Sequence, residues 1–136
     1  MPDFDLNTPQ GLVPFADKLG IEMIEATPEL VVARLEWTPK LCTLGDVMHG
    51  GALMALADNS GGACAFLNLP EGAVGTATIE SKTNFLRAVR GGTVMARTRP
   101  LHRGRTMAVL ETELVRDDGK LAAKVTQTQA FHYPRL

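Results

Sequence analysis

Asp58 is the residue whose place in the sequence points most directly to chemistry. It lies in the apolar segment 50–67, where the only other ionisable side chain is the thiol of Cys64. Aspartate is a mediocre helix former and is costly to bury without a partner, so a carboxylate there needs an explanation. One interpretation places Asp58 on a solvent-facing stripe with Asn59. The other makes it a general base or a nucleophile in a cleft.

A second candidate lies where the same segment begins, at His49, Gly50 and Gly51. Two glycines are poor for helix propagation, but they leave backbone N–H groups uncovered at the positive end of the helix dipole. Such groups can hold a carbonyl oxygen in an oxyanion hole. Glycines before a helix also form ordinary turns, so the pair is weak evidence by itself.

The spacing of Gly50 and Asp58 predicts a dimer. About 12 Å of helical rise separates them, which is too far for both to act on one carbonyl carbon. If both serve one reaction, they come from different subunits whose helices pack antiparallel across a two-fold axis. Small side chains would allow that close approach: Ala52, Ala55, Ala57, Ser60, Gly61 and Gly62.

The rest of the chain predicts strands around a single long helix. Residues 11–19 form a short amphipathic helix with Leu12, Phe15, Ala16 and Leu19 on one face, and residues 39–48 form a loop before helix 50–67. β-Forming residues and alternation predict strands at 21–26, 30–37, 76–86, 93–101, 106–116 and 121–132. Turn signals between successive strands predict an antiparallel meander. The fold class is therefore α+β, with one sheet wrapped around one helix.

Composition limits the classes of function. The chain has 136 residues, of which 45% are hydrophobic and 21% charged, with a formal net charge of −1. These values predict a single domain over residues 1–136, with 1–10 a loose N-terminal segment. They argue against binding to nucleic acid or to an anionic membrane surface. Neither a secretory signal nor a membrane span is evident, so a cytoplasmic location is expected.

Neither a disulfide framework nor a metal site is expected. Cys42 and Cys64 show no zinc-ligand spacing with His49, His102 or His132. We therefore expect reduced thiols and a reaction without metal or redox cofactor.

The ordered motifs resemble one enzyme family. The His-Gly-Gly at 49–51, the Leu-Ala-Asp ending at Asp58, IESKTNFLRAV at 79–89 and HRGR at 102–105 look like the hotdog-fold acyl-CoA thioesterases of the phenylacetic acid degradation (PaaI) type. The resemblance covers about residues 19–132. It implies a hotdog fold, an antiparallel sheet around one long central helix, and a homodimer commonly paired into a homotetramer. It also implies hydrolysis of an acyl-CoA thioester to the free acid and CoA.

The same resemblance implies roles for four residues. Asp58 would activate water or attack the thioester, and the Gly51 amide of the other subunit would polarise the thioester carbonyl. His49 would shape the loop or cap the helix. Thr78 matches a hydroxyl position that in some members helps to hold the water, although it is also an ordinary strand residue.

Coenzyme A requires cations for its phosphates at the mouth of an apolar slot for the acyl group. The candidate cations are Arg87, Arg90, Arg103 and Arg105, with His102 a weaker one. Gly50 would lie beside the bound carbonyl. The acyl slot is expected to be lined by Met54, Phe66 and Phe85.

One departure from the family pattern keeps two alternatives open. Many relatives carry an asparagine in the loop before the histidine, whereas residues 41–45 read Leu-Cys-Thr-Leu-Gly. The first alternative is an acyl-thioester dehydratase or hydratase that pairs His49 with Asp58. The second is a non-catalytic acyl-CoA-binding module, which the altered loop would suit. The sequence does not specify the acyl group.

Overall fold

The computed structural model describes residues 13–135. The helices are α1 (Pro14–Leu19) and α2 (Gly50–Leu67), and the strands are β1 (Glu22–Ala26), β2 (Val31–Glu36), β3 (Gly75–Phe85), β4 (Thr93–Arg103), β5 (Met107–Val115) and β6 (Leu121–His132). The six strands form one antiparallel sheet in the order β1-β2-β4-β5-β6-β3. Helix α2 packs against every strand, which confirms the α+β class and the sheet wrapped around one helix.

Alternation along the strands decides which face of the sheet meets α2. Along β5 every second side chain is buried: Ala108, Leu110, Thr112 and Leu114. Glu111 and Glu113 are only half-buried on the opposite face, as period-two alternation predicts. The buried residues of β2, β4 and β6 join the helix in the apolar core.

The predicted meander is wrong at β3. This strand pairs with β6 at one edge of the sheet, while β4 pairs with β2 and β5. After β3 the chain passes the beginning of α2, where the Met48 amide donates to the Val89 carbonyl, and then reaches β2, where the Trp37 amide donates to the Gly92 carbonyl. Because α2 already covers the sheet, a short connection over its end brings β4 to β2.

Two local expectations near the N-terminus also need correction. Helix α1 begins at Pro14, whose fixed φ suits a first helical position, and Gly11 and Leu12 lie outside the described residues, as does the expected loose segment 1–10. Phe15 was expected on the buried face of this helix but is 61% exposed, and Ala16 is the buried residue instead. The loop before α2 contains two short 3₁₀ turns, Pro39–Leu41 and Leu44–Asp46.

The described residues were compared with the requirements of a membrane-spanning helix and of a metal site. Within residues 13–135, no helix combines the length and apolarity needed to cross a bilayer. Over the same range, no group of three or more His, Cys, Asp or Glu side chains could hold a metal ion.

The two cysteines are expected to differ in reactivity. Burial raises the pKa of the Cys64 thiol to about 11, so about one molecule in a thousand carries the reactive thiolate at pH 8. Cys42 is half-buried, and its pKa is raised by desolvation and by the Asp46 carboxylate. In the folded protein we expect a disulfide reagent at pH 8 to modify Cys42 first and Cys64 only after unfolding. Rapid loss of both thiols without denaturant, or of one thiol in Cys42→Ser, would contradict this.

Candidate active site

Helix α2 buries one face and leaves the other outside. The buried face lies on the sheet and includes Ala52, Leu53, Leu56, Ala57, Ser60, Gly61, Ala63, Cys64 and Ala65. The outward face carries Gly51, Met54, Ala55, Asp58 and Gly62, which follow one another at helical spacing. In the single chain Asp58 therefore lies on an exposed stripe, as the first interpretation of the sequence expected.

The Asp58 carboxylate is nevertheless fixed in place. Its Oδ1 atom accepts a hydrogen bond from the Thr78 hydroxyl at 2.8 Å and a second from Gln127 Nε2 at 3.3 Å. Among residues 13–135, no donor bonds to Oδ2. The two carboxylate oxygens thus differ, because one is held by the sheet and the other is left for an incoming group.

The direction of the Thr78 hydrogen bond follows from its other neighbour. Gln129 Nε2 donates to Thr78 Oγ1 at 2.6 Å, while the single proton of the Thr76 hydroxyl is shared between Gln129 Oε1 at 3.0 Å and the Ala130 carbonyl at 2.9 Å. Since a hydroxyl has one proton, Thr78 gives that proton to Asp58. The Thr78 proton thus holds the carboxylate in this structure, and the role of this hydroxyl in holding a water stays a prediction.

Gln127 and Gln129 are site residues that the sequence analysis missed. Both are buried side chains on β6, at positions where alternation with Val125 and Phe131 calls for apolar residues. Two consecutive amides on the buried face of a strand are a detectable signal, because buried polar groups need partners. Their partners lie on β3 and α2, which the sequence did not place beside β6.

At the other end of the stripe, His49 caps α2. Its Nδ1 atom accepts a hydrogen bond from the Gly51 amide at 2.7 Å, which confirms the capping interpretation of this histidine. The Gly51 amide is thus in use in this structure. No backbone carbonyl among residues 13–135 accepts from the Gly50 amide. Gly50 packs against the Phe85 ring, since a Cβ there would lie 3.0 Å from Phe85 Cζ.

A pocket beside these residues has a volume of about 370 Å³. It brings together three of the predicted residues, Gly50, Phe85 and Arg87, with an otherwise mostly apolar lining of Thr43, Val47, Met48, Leu53, Leu86, Ala88 and Val89. Met54 and Phe66 were expected to line the acyl slot but do not line this pocket. Met54 points outward from α2 and is 41% exposed.

Gly51 and Asp58 line two different pockets of the single chain. His49 and Gly51 belong to a pocket of about 230 Å³, and Asp58 to one of about 130 Å³ next to α1. Phe15 lines both. One chain therefore does not bring the glycine amide and the carboxylate to a common point, and it does not pair His49 with Asp58 as a dehydratase would require.

The four candidate arginines are separated into two pairs in the single chain. Near the beginning of α2, Arg87 donates to the Leu121 carbonyl at 2.8 Å and Arg90 to the Gly45 carbonyl at 3.1 Å. Arg103 lies 3.9 Å from Glu29, beside the turn whose Pro28 carbonyl bonds to Asn68 after the end of α2.

Arg105 follows Arg103 in the β4–β5 turn, where its carbonyl accepts from Tyr133. His102 is exposed on the same end of β4. The length of α2, about 27 Å, separates this end from Arg87 and Arg90. Within residues 13–135 the four candidate arginines therefore form two separate pairs, and their contact with coenzyme A stays a prediction.

Comparison with known proteins assigns this fold and site to a class. The family profile described as the thioesterase superfamily matches residues 45–123, a range that contains the capped helix, Asp58 and Thr78. The chain belongs to the thioesterase superfamily.

Individual relatives also support membership of the thioesterase superfamily. A Mycobacterium tuberculosis protein named an esterase is 31% identical over 114 residues, which span 82% of this chain and 81% of that protein. Its structure has a TM-score of 0.87 at 28% identity, covering 91% of this chain and 100% of that one. A mutant thioesterase from Pseudomonas aeruginosa gives a TM-score of 0.86 at 30% identity, with coverage of 96% and 94%.

A variant of the phenylacetic acid degradation protein PaaI from Thermus thermophilus gives a TM-score of 0.80 at 27% identity, covering 88% of this chain and 99% of that one. The resemblance to PaaI-type hotdog thioesterases is therefore confirmed for family and fold. At the level of reaction class, these relatives support thioester hydrolysis.

Proposed function

We propose that this protein hydrolyses an acyl-CoA thioester to the free acid and CoA at a site shared by two subunits. The observation that carries the proposal is the Asp58 carboxylate on the outward face of α2, with Oδ1 anchored and with no donor to Oδ2 from residues 13–135. An immobilised carboxylate with one available oxygen can act as a general base or as a nucleophile.

The second subunit supplies the group that polarises the carbonyl. Met54 and Ala55 lie midway between Gly51 and Asp58 on the outward face. If a two-fold axis passes beside them, antiparallel helices place Gly51 of one subunit opposite Asp58 of its partner. Of the small residues predicted to allow a close approach, Ala55 and Gly62 lie on this outward face. Ala52, Ala57, Ser60 and Gly61 pack on the sheet instead, because that face of α2 forms the core.

The edge of the sheet supports the same dimer. Strand β3 is an edge strand, so one side of its backbone has no neighbouring strand within residues 13–135. Several large apolar side chains on or beside it are exposed: Val74, Ile79, Phe85 and Leu86. A long apolar edge is a template for pairing with another strand. We propose that β3 and α2 together form the homodimer interface and that two such dimers form a homotetramer.

In the proposed reaction, Oδ2 of Asp58 takes a proton from a water whose oxygen attacks the thioester carbon. The negative charge that develops on the carbonyl oxygen is stabilised by the Gly51 and Gly50 amides of the partner helix. The C–S bond then breaks, and the CoA thiolate leaves and is protonated. The His49 side chain has to release the Gly51 amide when the carbonyl binds. In the nucleophilic variant, Oδ2 attacks the thioester carbon first, and the C–S bond breaks as the CoA thiolate leaves. Water then hydrolyses the mixed anhydride, which releases the acid and restores the Asp58 carboxylate.

The acyl group and the CoA phosphates are each assigned to residues whose chemistry suits them. The pocket of about 370 Å³ has apolar walls for part of the acyl thioester, and Arg87 lines it. An antiparallel dimer brings the beginning of one α2 beside the end of the other, so Arg103 and Arg105 of one subunit would approach Arg87 and Arg90 of the other. Cations from both subunits would then face the CoA phosphates.

The proposed function is tested by thiol release from aryl-, short- and medium-chain acyl-CoA esters. We expect turnover with at least one ester class and equal amounts of free acid and CoA. Formation of an enoyl thioester without thiol would identify a dehydratase instead. Tight binding of the esters without turnover would identify a non-catalytic binding module.

The proposed interface is tested by Met54→Lys. Because Met54 is exposed in the single chain, this variant is expected to fold, but two lysines would face each other at the two-fold axis. We expect it to elute as a monomer in size-exclusion chromatography and to lose most turnover. Leu101→Lys, an exposed apolar residue on β4, is the matched control and should keep the dimer. A dimeric Met54→Lys protein would contradict the placement of the axis.

A further inference from the structure

The buried side-chain amide of Gln127 is not fully hydrogen-bonded, so it destabilises the fold. Its side chain is 0% exposed, and its Oε1 atom finds no hydrogen-bond donor among residues 13–135. The one group to which the amide donates is Asp58 Oδ1. A buried acceptor without a donor destabilises a protein, and an apolar side chain of the same shape would avoid that penalty.

Helix α2 has a glycine, Gly61, where it packs against this amide. A Cβ atom at Gly61 would lie 2.2 Å from Gln127 Oε1, so glycine lets the glutamine keep this position and a larger residue would force its side chain to move. Glycine in the middle of a helix is unfavourable compared with alanine. Two stability penalties, one on β6 and one on α2, thus accompany a single contact with Asp58.

Gln129 reaches the same oxygen by a second route. Its amide donates to Thr78, and the Thr78 proton is thereby directed to Asp58 Oδ1. Gln129 is 1% exposed, so the sheet holds it in position. Two buried glutamines on one strand therefore act on one carboxylate oxygen, and neither contacts Oδ2.

We infer that Gln127 and Gln129 are positioning residues that fix the Asp58 carboxylate with Oδ1 held by the sheet and Oδ2 presented to the substrate. The inference rests on the proposed thioesterase function and deepens it. Reaction rates depend steeply on the orientation of the reacting group, so loss of either amide is expected to lower kcat more than it changes KM.

Gln127→Met is the principal test, because methionine fills a similar volume without the amide. We expect kcat to fall about tenfold and KM to stay within about twofold of the wild type. The thermal midpoint is expected to stay the same or rise, because the unpartnered Oε1 atom is removed. Opposite effects on activity and stability are not expected of a residue with a purely structural role.

The matched control is the double variant Thr98→Val/Thr112→Val. These two hydroxyls are also buried in the sheet, and they bond to each other at 2.7 Å. Removing both partners leaves no unpaired group, so kcat should be unchanged. A Gln127→Met enzyme with kcat within about twofold of the wild type, or with kcat and thermal midpoint both lowered, would overturn the role of Gln127.

A double-mutant cycle tests Gln129 even if single variants lose stability. If Gln129 acts through Thr78, then Gln129→Met lowers kcat in the wild type and causes no further loss in Thr78→Val. Independent, multiplicative losses would overturn the role of Gln129. Thiol release that Asp58→Asn abolishes would show that the proposed function stands even when either positioning test fails. A wild type that releases no thiol would overturn the proposed function, and the positioning inference with it.

Discussion

Asp58→Asn is expected to lose almost all thioester hydrolysis while keeping its fold and its oligomeric state. Asparagine retains a carbonyl oxygen that can accept from Thr78 and Gln127 as Oδ1 does now. Its amide nitrogen would replace Oδ2 and can neither take a proton from water nor attack a carbonyl. Removal of a general base lowers rates by a factor of roughly 10² to 10⁴, and we expect kcat to fall within that range.

Thiol release and thermal unfolding should be measured on the same preparations. Asp17→Asn is a matched control on α1, and it should hydrolyse the best ester at the wild-type rate. Ester affinity, measured on the inactive variant, should stay close to the wild-type value because the acyl and CoA contacts are unchanged. Turnover near the wild-type level in Asp58→Asn would remove Asp58 from the mechanism.

Mixing two inactive variants is expected to restore activity if the site is shared between subunits. In Gly51→Pro the amide proton that would bind the thioester oxygen is missing, while proline remains tolerated in the first turn of a helix. A heterodimer of Gly51→Pro with Asp58→Asn has both defects in one site and an intact second site. Random pairing of equal amounts would leave about one quarter of all sites intact.

The measurement is thiol release after the variants exchange subunits by unfolding and refolding together. We expect about a quarter of wild-type activity from the mixture and almost none from either variant alone. If Gly51 and Asp58 of the same chain formed the site, every site in the mixture would carry one defect. Continued inactivity of a mixture shown to contain heterodimers would therefore contradict the shared site.

Local pattern was sufficient for most of the secondary structure. The helix predicted at 50–67 and the strand predicted at 121–132 have the observed bounds, because apolar periodicity and flanking turn residues act within a few residues. The pairing of β3 with β6 was not predictable in this way. It depends on how the chain crosses the end of α2, which is a property of the assembled sheet.

The residues of the candidate site were likewise predictable only in part from the sequence. Asp58, His49 and the two glycines were identified from the sequence because they interrupt the pattern of one apolar helix. Gln127 and Gln129 were missed because their significance comes from partners about 50 to 70 positions away in the chain. The four arginines were identified by their charge, but local sequence does not indicate that α2 separates them into two pairs.

The sequence by itself indicated the helix that carries the carboxylate, because apolar periodicity and its interruption act over short spacings. Its ordered motifs indicated the hotdog fold and thioester hydrolysis through their resemblance to a known family. The tertiary structure alone decided which atoms hold Asp58, which of its oxygens those atoms bond to and which residues line the neighbouring pocket. These properties arise where α2, β3 and β6 meet, and contacts between distant segments exist only after the chain has folded.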